Sequence, residues 1–410
     1  MSLCSFASSR PEQAARIAIW LLGAGETVVW ATIFYVFAAL LLAWEQSLGW
    51  AKGDLTLGFT LAILAAALAS PIAGRVIDAG GGRFALGGGA LVGAAGIAML
   101  SQVDTPYAFI AVWVLIGAAQ GFCLYEPCFS VVTRAKGADA RKAITHITLL
   151  AGFASPLSFL PAAGLLEHYD WQTTLLVFAA AGAFLAAPLL FVGALLLESA
   201  SGEAARPVPK AENRAALLAA LRKPQFWLIA LAFPVMALNH GILLNHIRPL
   251  LAERGVAETI AVLVASTIGP AQVAGRVILV AVQNRVSTMA VAAISFTGVV
   301  IAALLLMAAG FAPWLSFAFA VFQGGSYGLT SIIKPAITAE FLGRTGFGAI
   351  AGWLALPYLV GFAFAPHIGS LVWEIGGYDL VIPFAAGVAA FGVLCIMGLA
   401  ASGRSRERTR

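Results

Sequence analysis

Apolar residues fill this chain in long runs, and polar residues gather in the gaps between them. Twelve runs stand out, at about 16–43, 55–77, 84–102, 108–133, 143–166, 172–197, 225–251, 258–284, 288–309, 314–340, 347–371 and 379–401. Each has the roughly 20 residues an α-helix needs to cross a hydrocarbon core. The pattern predicts an all-α integral membrane protein of twelve transmembrane helices. The longest polar stretch between runs, 198–224, carries charges and prolines and splits the spans six and six. The expected organisation is a six-helix bundle over 1–197, a linker over 198–224, a second bundle over 225–401 and a tail over 402–410.

Composition agrees with the pattern. The chain has 410 residues, 61% of them hydrophobic and 10% charged, with a mean hydropathy of +0.93. Soluble domains carry about 25% charged residues. The net charge of +5 needs no nucleic acid to explain it, because basic residues collect in cytoplasmic loops. Arg10, Arg16, Arg75, Arg83, the Arg134–Lys142 loop, the linker, Arg285, Arg344 and the Arg404–Arg410 tail all fall on one side of a twelve-span topology. The other side holds Lys52, Arg254 and Arg248. Both termini and the linker are therefore expected in the cytoplasm. The first run is too long for a signal peptide and lacks a small-residue cleavage site, so it is expected to stay as an anchor. Trp44, Trp50, Trp171, Trp227, Trp314 and Trp373 sit at expected helix ends, as an interfacial aromatic belt requires. Cys4, Cys123, Cys128 and Cys395 form neither a disulfide framework nor a metal pattern. Phosphate-binding glycine loops, metal clusters and nucleophile elbows are missing from the sequence, so no cofactor and no enzymatic activity is expected.

One loop has a recognisable form. Gly74-Arg75-Val76-Ile77-Asp78-Ala79-Gly80-Gly81-Gly82-Arg83 resembles the signature loop between helices 2 and 3 of the major facilitator superfamily, through Gly74, Asp78 and Arg83. Ala79 stands where a basic residue is usual. The stretches FYVFAALLLAWEQSLGW, LYEPCFSVVTRA and NHIRPLLAERG in runs 1, 4 and 7 resemble the bacterial branch near monocarboxylate porters and oxalate/formate exchangers. The resemblance implies a bacterial inner-membrane transporter, monomeric by default, whose helices 1, 4, 7 and 10 line a cavity. It implies that Gly74, Asp78, Arg83 and Arg134 serve conformational change. Asp78 would face the start of helix 11, where the positive end of the helix dipole favours a carboxylate.

Ionisable residues inside the runs carry the candidate chemistry, since each is costly in a bilayer. Runs 3, 6, 9 and 12 hold none in their interiors. Arg276 shares a helical stripe with Gly269, Gln272 and Gln283. Its guanidinium suits a carboxylate, and a helix 8 arginine anchors substrate in the monocarboxylate porters it resembles. The porters' aspartate four residues earlier is Gln272 here, and the exchangers' helix 11 lysine has no counterpart in run 11. A structural arginine bonded to carbonyls at a helix break near Pro270 is the alternative. Glu26 lies on a stripe with Gly23, Thr27 and Trp30, at a depth where desolvation favours a protonated carboxyl. It is a candidate proton carrier or a buried packing group. Glu126, beside Pro127, stands equally between the two readings. Lys334, with Gln323, Tyr327 and Thr330 on its stripe, is either an anion contact, an ion-pair partner of Glu126 or a side chain snorkelling to the cytoplasm. In run 7, Asn239 and His246 are seven apart and face one way, and Asn239-His240-Gly241 marks a soft segment suited to gating.

The expected function is secondary transport of a small organic anion, monocarboxylate-like, coupled to protons. Arg276, Gln272, His246, Asn239, Tyr327 and Lys334 would contact substrate, and Glu26 or Glu126 would carry the proton. A proton-driven exporter of cationic drugs is the alternative, although run 5 lacks the glycine periodicity of such antiporters. A sensor without transport is the third reading, for which the short tails leave little means of signalling.

Overall fold

The computed structural model describes residues 3–50, 52–202, 207–310, 312 and 314–407, so parts of the expected linker (203–206) and tail (408–410) lie outside the described residues. Among those residues every regular element is helical. Eight helical runs are long and apolar enough to cross a membrane. Three of them contain a sharp turn, at Gly80, at Gly137 and at Gly376–Gly377, and so hold two spans each. A further broken pair, Leu315–Tyr327 and Thr330–Leu342, covers the tenth apolar run. This arrangement is consistent with twelve spans.

Several spans that periodicity presents as uniform are interrupted, each for a local reason. The fourth divides at Leu124 into Pro106–Cys123 and Tyr125–Lys136. Pro127 has no N–H to return to the preceding turn, and the helix restarts just before it. The first span contains a π-helical stretch, Trp30–Tyr35, between Pro11–Val29 and Val36–Leu48. By contrast, the helix Glu258–Val282 contains Pro270 without a break. The helix Pro224–Glu253 likewise runs through Asn239-His240-Gly241. There Gly241 serves close packing, because a Cβ on it would collide with that of Ala365.

The described chain divides into two units, Met1–Ala219 with Arg344–Leu356, and Ala220–Gly343 with Pro357–Arg410. In the first unit, Gly117 and Gly121 of Pro106–Cys123 lie directly against the main chain of Ala62 and Ala66 in Lys52–Val76. Small residues four apart let two backbones approach where no hydrophobic effect drives helices together. Beside this contact the rings of Phe37, Trp44, Phe109 and Trp113 pack, with Trp44 and Phe109 centroids 5.2 Å apart. Trp44 is fully buried, and Trp171 nearly so, so these two are core and not interfacial belt. Trp227, Trp314 and Trp373 are exposed, as a belt requires.

In the second unit, the helix Glu258–Val282 packs glycine-to-backbone on Leu315–Tyr327. Gly275 meets Gly325, Gly324 meets Ile268, and Gly328 meets Gln272. The apolar core of this unit is built from Ile242, Ile247, Leu250, Phe319, Val381 and Ile382.

Candidate functional site

The first unit buries one carboxyl in the middle of its first span. Glu26 has no solvent exposure. Its Oε2 accepts a hydrogen bond from Trp30 Nε1 at 3.1 Å. Its Oε1 meets no N–H or O–H donor. The thiols of Cys123 and Cys128, weak donors, lie beside the carboxyl. Trp30 opens the π-helical stretch and packs on Phe34, Tyr35 and Tyr125, with centroids 4.6, 6.1 and 4.7 Å away. The Ile33 carbonyl of that widened turn accepts from Gln120 Nε2 at 2.7 Å. π-Helical turns gather at functional sites, and this one follows directly on the carboxyl. Glu126 is half-buried in the first turn of Tyr125–Lys136, the end of a helix dipole that favours a negative charge.

The signature loop forms a separate cluster in the same unit. Asp78 is buried, and its Oδ1 and Oδ2 accept from the main-chain N–H groups of Gly348 and Ala349 at 2.9 and 2.7 Å. Arg134 Nε is 3.5 Å from Asp78 Oδ1, and its Nη1 donates to the carbonyl of Ile77. Gly74 packs on the main chain of Gly348, so a side chain at either glycine would separate the two helices. Arg83 lies over the ring of Phe84, 4.9 Å from its centroid. Glu198, not singled out from the sequence, sits near both arginines and against Gly82.

The second unit places most of its candidate residues in one connected chain of contacts. Asn239 Nδ2 donates to the Ala385 carbonyl at 2.8 Å, which fixes the orientation of its amide. Asn239 Oδ1 then accepts from Gln323 Nε2 at 3.1 Å. The same amide nitrogen faces His240 Nδ1 at 3.3 Å, so Nδ1 is the acceptor and the imidazole is the neutral Nε2–H tautomer. The His240 ring stacks on Tyr327, with centroids 3.5 Å apart and planes 8° from parallel. Tyr327 and Tyr358 share a hydroxyl–hydroxyl hydrogen bond of 2.9 Å. Over the Tyr358 ring, 4.0 Å from its centroid, stands Lys334 Nζ. Lys334 is only 6% exposed, which is not the disposition of a snorkelling side chain.

Arg276, 7% exposed, donates from Nε to the carbonyl of Gly328 at 3.0 Å. Gly328 is the residue at which the tenth span breaks, so Arg276 meets main chain at a break as the alternative reading held, but at Gly328 and not at Pro270. Gln272 packs against the same glycine through its main chain. His246 stands apart from this chain. Its Nε2 is 3.1 Å from the Pro366 carbonyl and its Nδ1 3.4 Å from Tyr378 Oη. Tyr358 is the residue of this constellation that sequence reasoning missed. Its one signal was a hydroxyl-bearing ring beside Pro357 inside an apolar run. Among the described residues no three His, Cys, Asp or Glu side chains gather as a metal site.

The family model described as Major Facilitator Superfamily matches residues 17–279. Among curated proteins, none matches the chain by sequence. Solved structures with a similar fold include a transporter of that superfamily, FucP, in an outward conformation, at a TM-score of 0.72 and 14% identity over 94% of this chain and 99% of that one. A second structure of the same protein, the E. coli fucose:proton symporter, gives a TM-score of 0.68 at 14% identity with the same coverage. The human organic anion transporter MFSD10 (TETRAN) gives 0.67 at 16% identity, again over 94% and 99% of the two chains.

Proposed function

The chain belongs to the major facilitator superfamily, and from that premise we propose that it carries a small, monocarboxylate-like organic anion by proton-coupled alternating access. It is a multi-pass membrane carrier and not an enzyme. The finer reading places it in a bacterial inner membrane as a monomer, with both termini and the linker cytoplasmic and a six-helix bundle on each side of the linker. It belongs, on this reading, near the monocarboxylate porters and oxalate/formate exchangers.

The observation that carries the proposal is the polar constellation of the second unit. Among the described residues its buried charged side chains are both cations, Lys334 and Arg276, while the buried acids Glu26 and Asp78 belong to the first unit. Lys334 stands on a wall of hydroxyl-bearing rings, which offers a carboxylate both a charge and O–H donors. Arg276 holds the broken span in shape through Gly328, and Lys334 takes the anion. Glu26 supplies the proton. An anion entering against 100 mV, inside negative, loses about 2.3 kcal/mol, and one accompanying proton removes that cost. Uptake of a monocarboxylate into proteoliposomes is expected to rise with an inward-directed proton gradient and to ignore voltage. Uptake that follows voltage alone overturns the reading.

One observation favours a second reading, export of cationic drugs. Glu26 accepts from Trp30, whose ring packs on Phe34, Tyr35 and Tyr125, and a carboxylate next to an aromatic cluster suits a cation. Drug susceptibility of cells carrying the parent protein or Glu26→Gln separates the two, because only an exporter's loss sensitises the cell.

A further inference from the structure

The central linker bonds to the very residue that the signature loop uses. Its stretch 207–221 ends in the helix Lys210–Leu221. Val208 N–H donates to the main-chain carbonyl of Asp78 at 2.8 Å. The Pro207 ring lies 3.0 Å from where a Cβ on Gly80 would stand, and Gly80 has φ +83°. That turn therefore accepts only glycine, both for its backbone and for the proline against it. In the first turn of the linker helix, Asn213 is buried with its side chain beside the Asp78 carboxylate. Its Oδ1 is left without a partner. Gly346, at φ +62°, fits against Asn213 Oδ1 and Ala216, where an added Cβ would be 2.7 and 3.2 Å from them.

Asp78 thus accepts from Gly348 and Ala349 through its carboxylate and from Val208 through its carbonyl, with the Asn213 side chain beside it. All of these residues belong to the first unit. The helix that starts at Phe347 continues past Leu356 into residues of the second unit, so a hold on its first turn is a hold on chain shared by the two. A passive tether would not place an amide, a main-chain donor and a proline on one turn.

We propose that Asn213 is a positioning residue for Asp78, and that the linker fastens the signature loop to the first turn of the Phe347 helix, so that movement there requires the linker to let go. The consequence reaches any input that pulls on or modifies the linker, because it would act on the loop directly.

Hydrogen exchange on the full-length protein in lipid nanodiscs tests this without any substrate. The readout is the peptide covering 344–356, whose Gly348 and Ala349 amides are the donors to Asp78. Asn213→Ala removes the buried amide that stands beside Asp78 and against Gly346, and exchange there is expected to quicken about ten-fold. Asn213→Asp sets a second carboxylate against Asp78, and a larger rise is expected. The peptide covering 288–308, in the second unit, should not change in either variant. Unchanged exchange over 344–356 in both variants overturns the proposal. A rise spread evenly over the chain also overturns it, because Asn213 would then be a residue of general stability and not a positioner of Asp78.

Discussion

Arg276 and Lys334 are both buried cations of one unit with different work assigned to each, and single substitutions can separate the two roles. Arg276→Met keeps the length of the apolar stem and removes the Nε–H that meets Gly328 O at 3.0 Å. Losing a charged donor to a buried carbonyl costs about 1.5–3 kcal/mol. In a folding unit of this size each kcal/mol moves the melting temperature by about 2–4 °C, so a fall of roughly 3–12 °C is expected. Lys334→Met removes the ammonium 4.0 Å above the Tyr358 ring. Without its charge-assisted bond to a carboxylate, worth about 1.5–3 kcal/mol, anion binding weakens by roughly 10- to 100-fold. The cation–π attraction to Tyr358 is worth about 0.5–2 kcal/mol, so melting should shift less than in the arginine variant. Thermal unfolding of the purified protein, run with and without a panel of small carboxylates, reads both effects. Unchanged melting in Arg276→Met, together with no stabilisation by any carboxylate, would seat the anion on the arginine and refute the division of roles. Binding of the panel by Lys334→Met as tightly as by the parent would refute it too.

Three further outcomes are expected. Glu26→Gln should retain exchange of substrate across a membrane at equal pH and lose accumulation driven by a proton gradient, measured in proteoliposomes. Accumulation that survives moves the proton elsewhere. Gly117→Leu should reduce folded yield far more than Gly88→Leu, because a side chain at Gly117 meets the main chain of Ala62 while Gly88 has open space around it. Comparable yields on size-exclusion chromatography would contradict the close contact. Asp170 caps the helix Trp171–Ala181 by accepting from Thr173 N–H at 2.7 Å, which holds its carboxyl below the ordinary 3.8. Its contribution is therefore present above that value and is lost as pH falls through the lower folded one. Asp170→Asn, which caps without titrating, should remove that acid-side loss of protection at the Thr173 amide.

Much of the architecture was legible in the chain because a bilayer allows few solutions. Long apolar runs had to be helices, and charges had to avoid lipid, so run lengths and charge positions together outlined the spans. The signature loop was legible because Gly74, Asp78 and Arg83 each answer a separate physical demand at fixed spacing. Interruptions within spans were harder to read. Pro127 did mark the restart at Tyr125, yet Pro270 broke nothing, and the tenth span broke at Gly328, the last glycine of Gly324-Gly325-Ser326-Tyr327-Gly328. What distinguishes Gly328 is tertiary, namely the main chain of Gln272 against it and Arg276 on its carbonyl. Tyr358 and Asn213 were missed for the same reason. Their partners lie 31 and 135 positions away in sequence, at Tyr327 and Asp78, and no periodicity connects them. Trp44 looked interfacial from its place near a helix end, but it fills the gap between Phe37 and Phe109.

The widened turn at Trp30–Tyr35 has a bearing on how the chain tolerates change of length. A π-helical turn accommodates a residue more than an α-helical turn of the same rise. Deleting one residue from an ordinary stretch of helix rotates all that follows by about 100° and turns lipid-facing side chains inward. The same deletion within Trp30–Tyr35 would tighten the turn to α geometry and leave both flanking faces in phase. The first span thus carries its own slack, one residue deep, next to Glu26 and secured by the amide of Gln120.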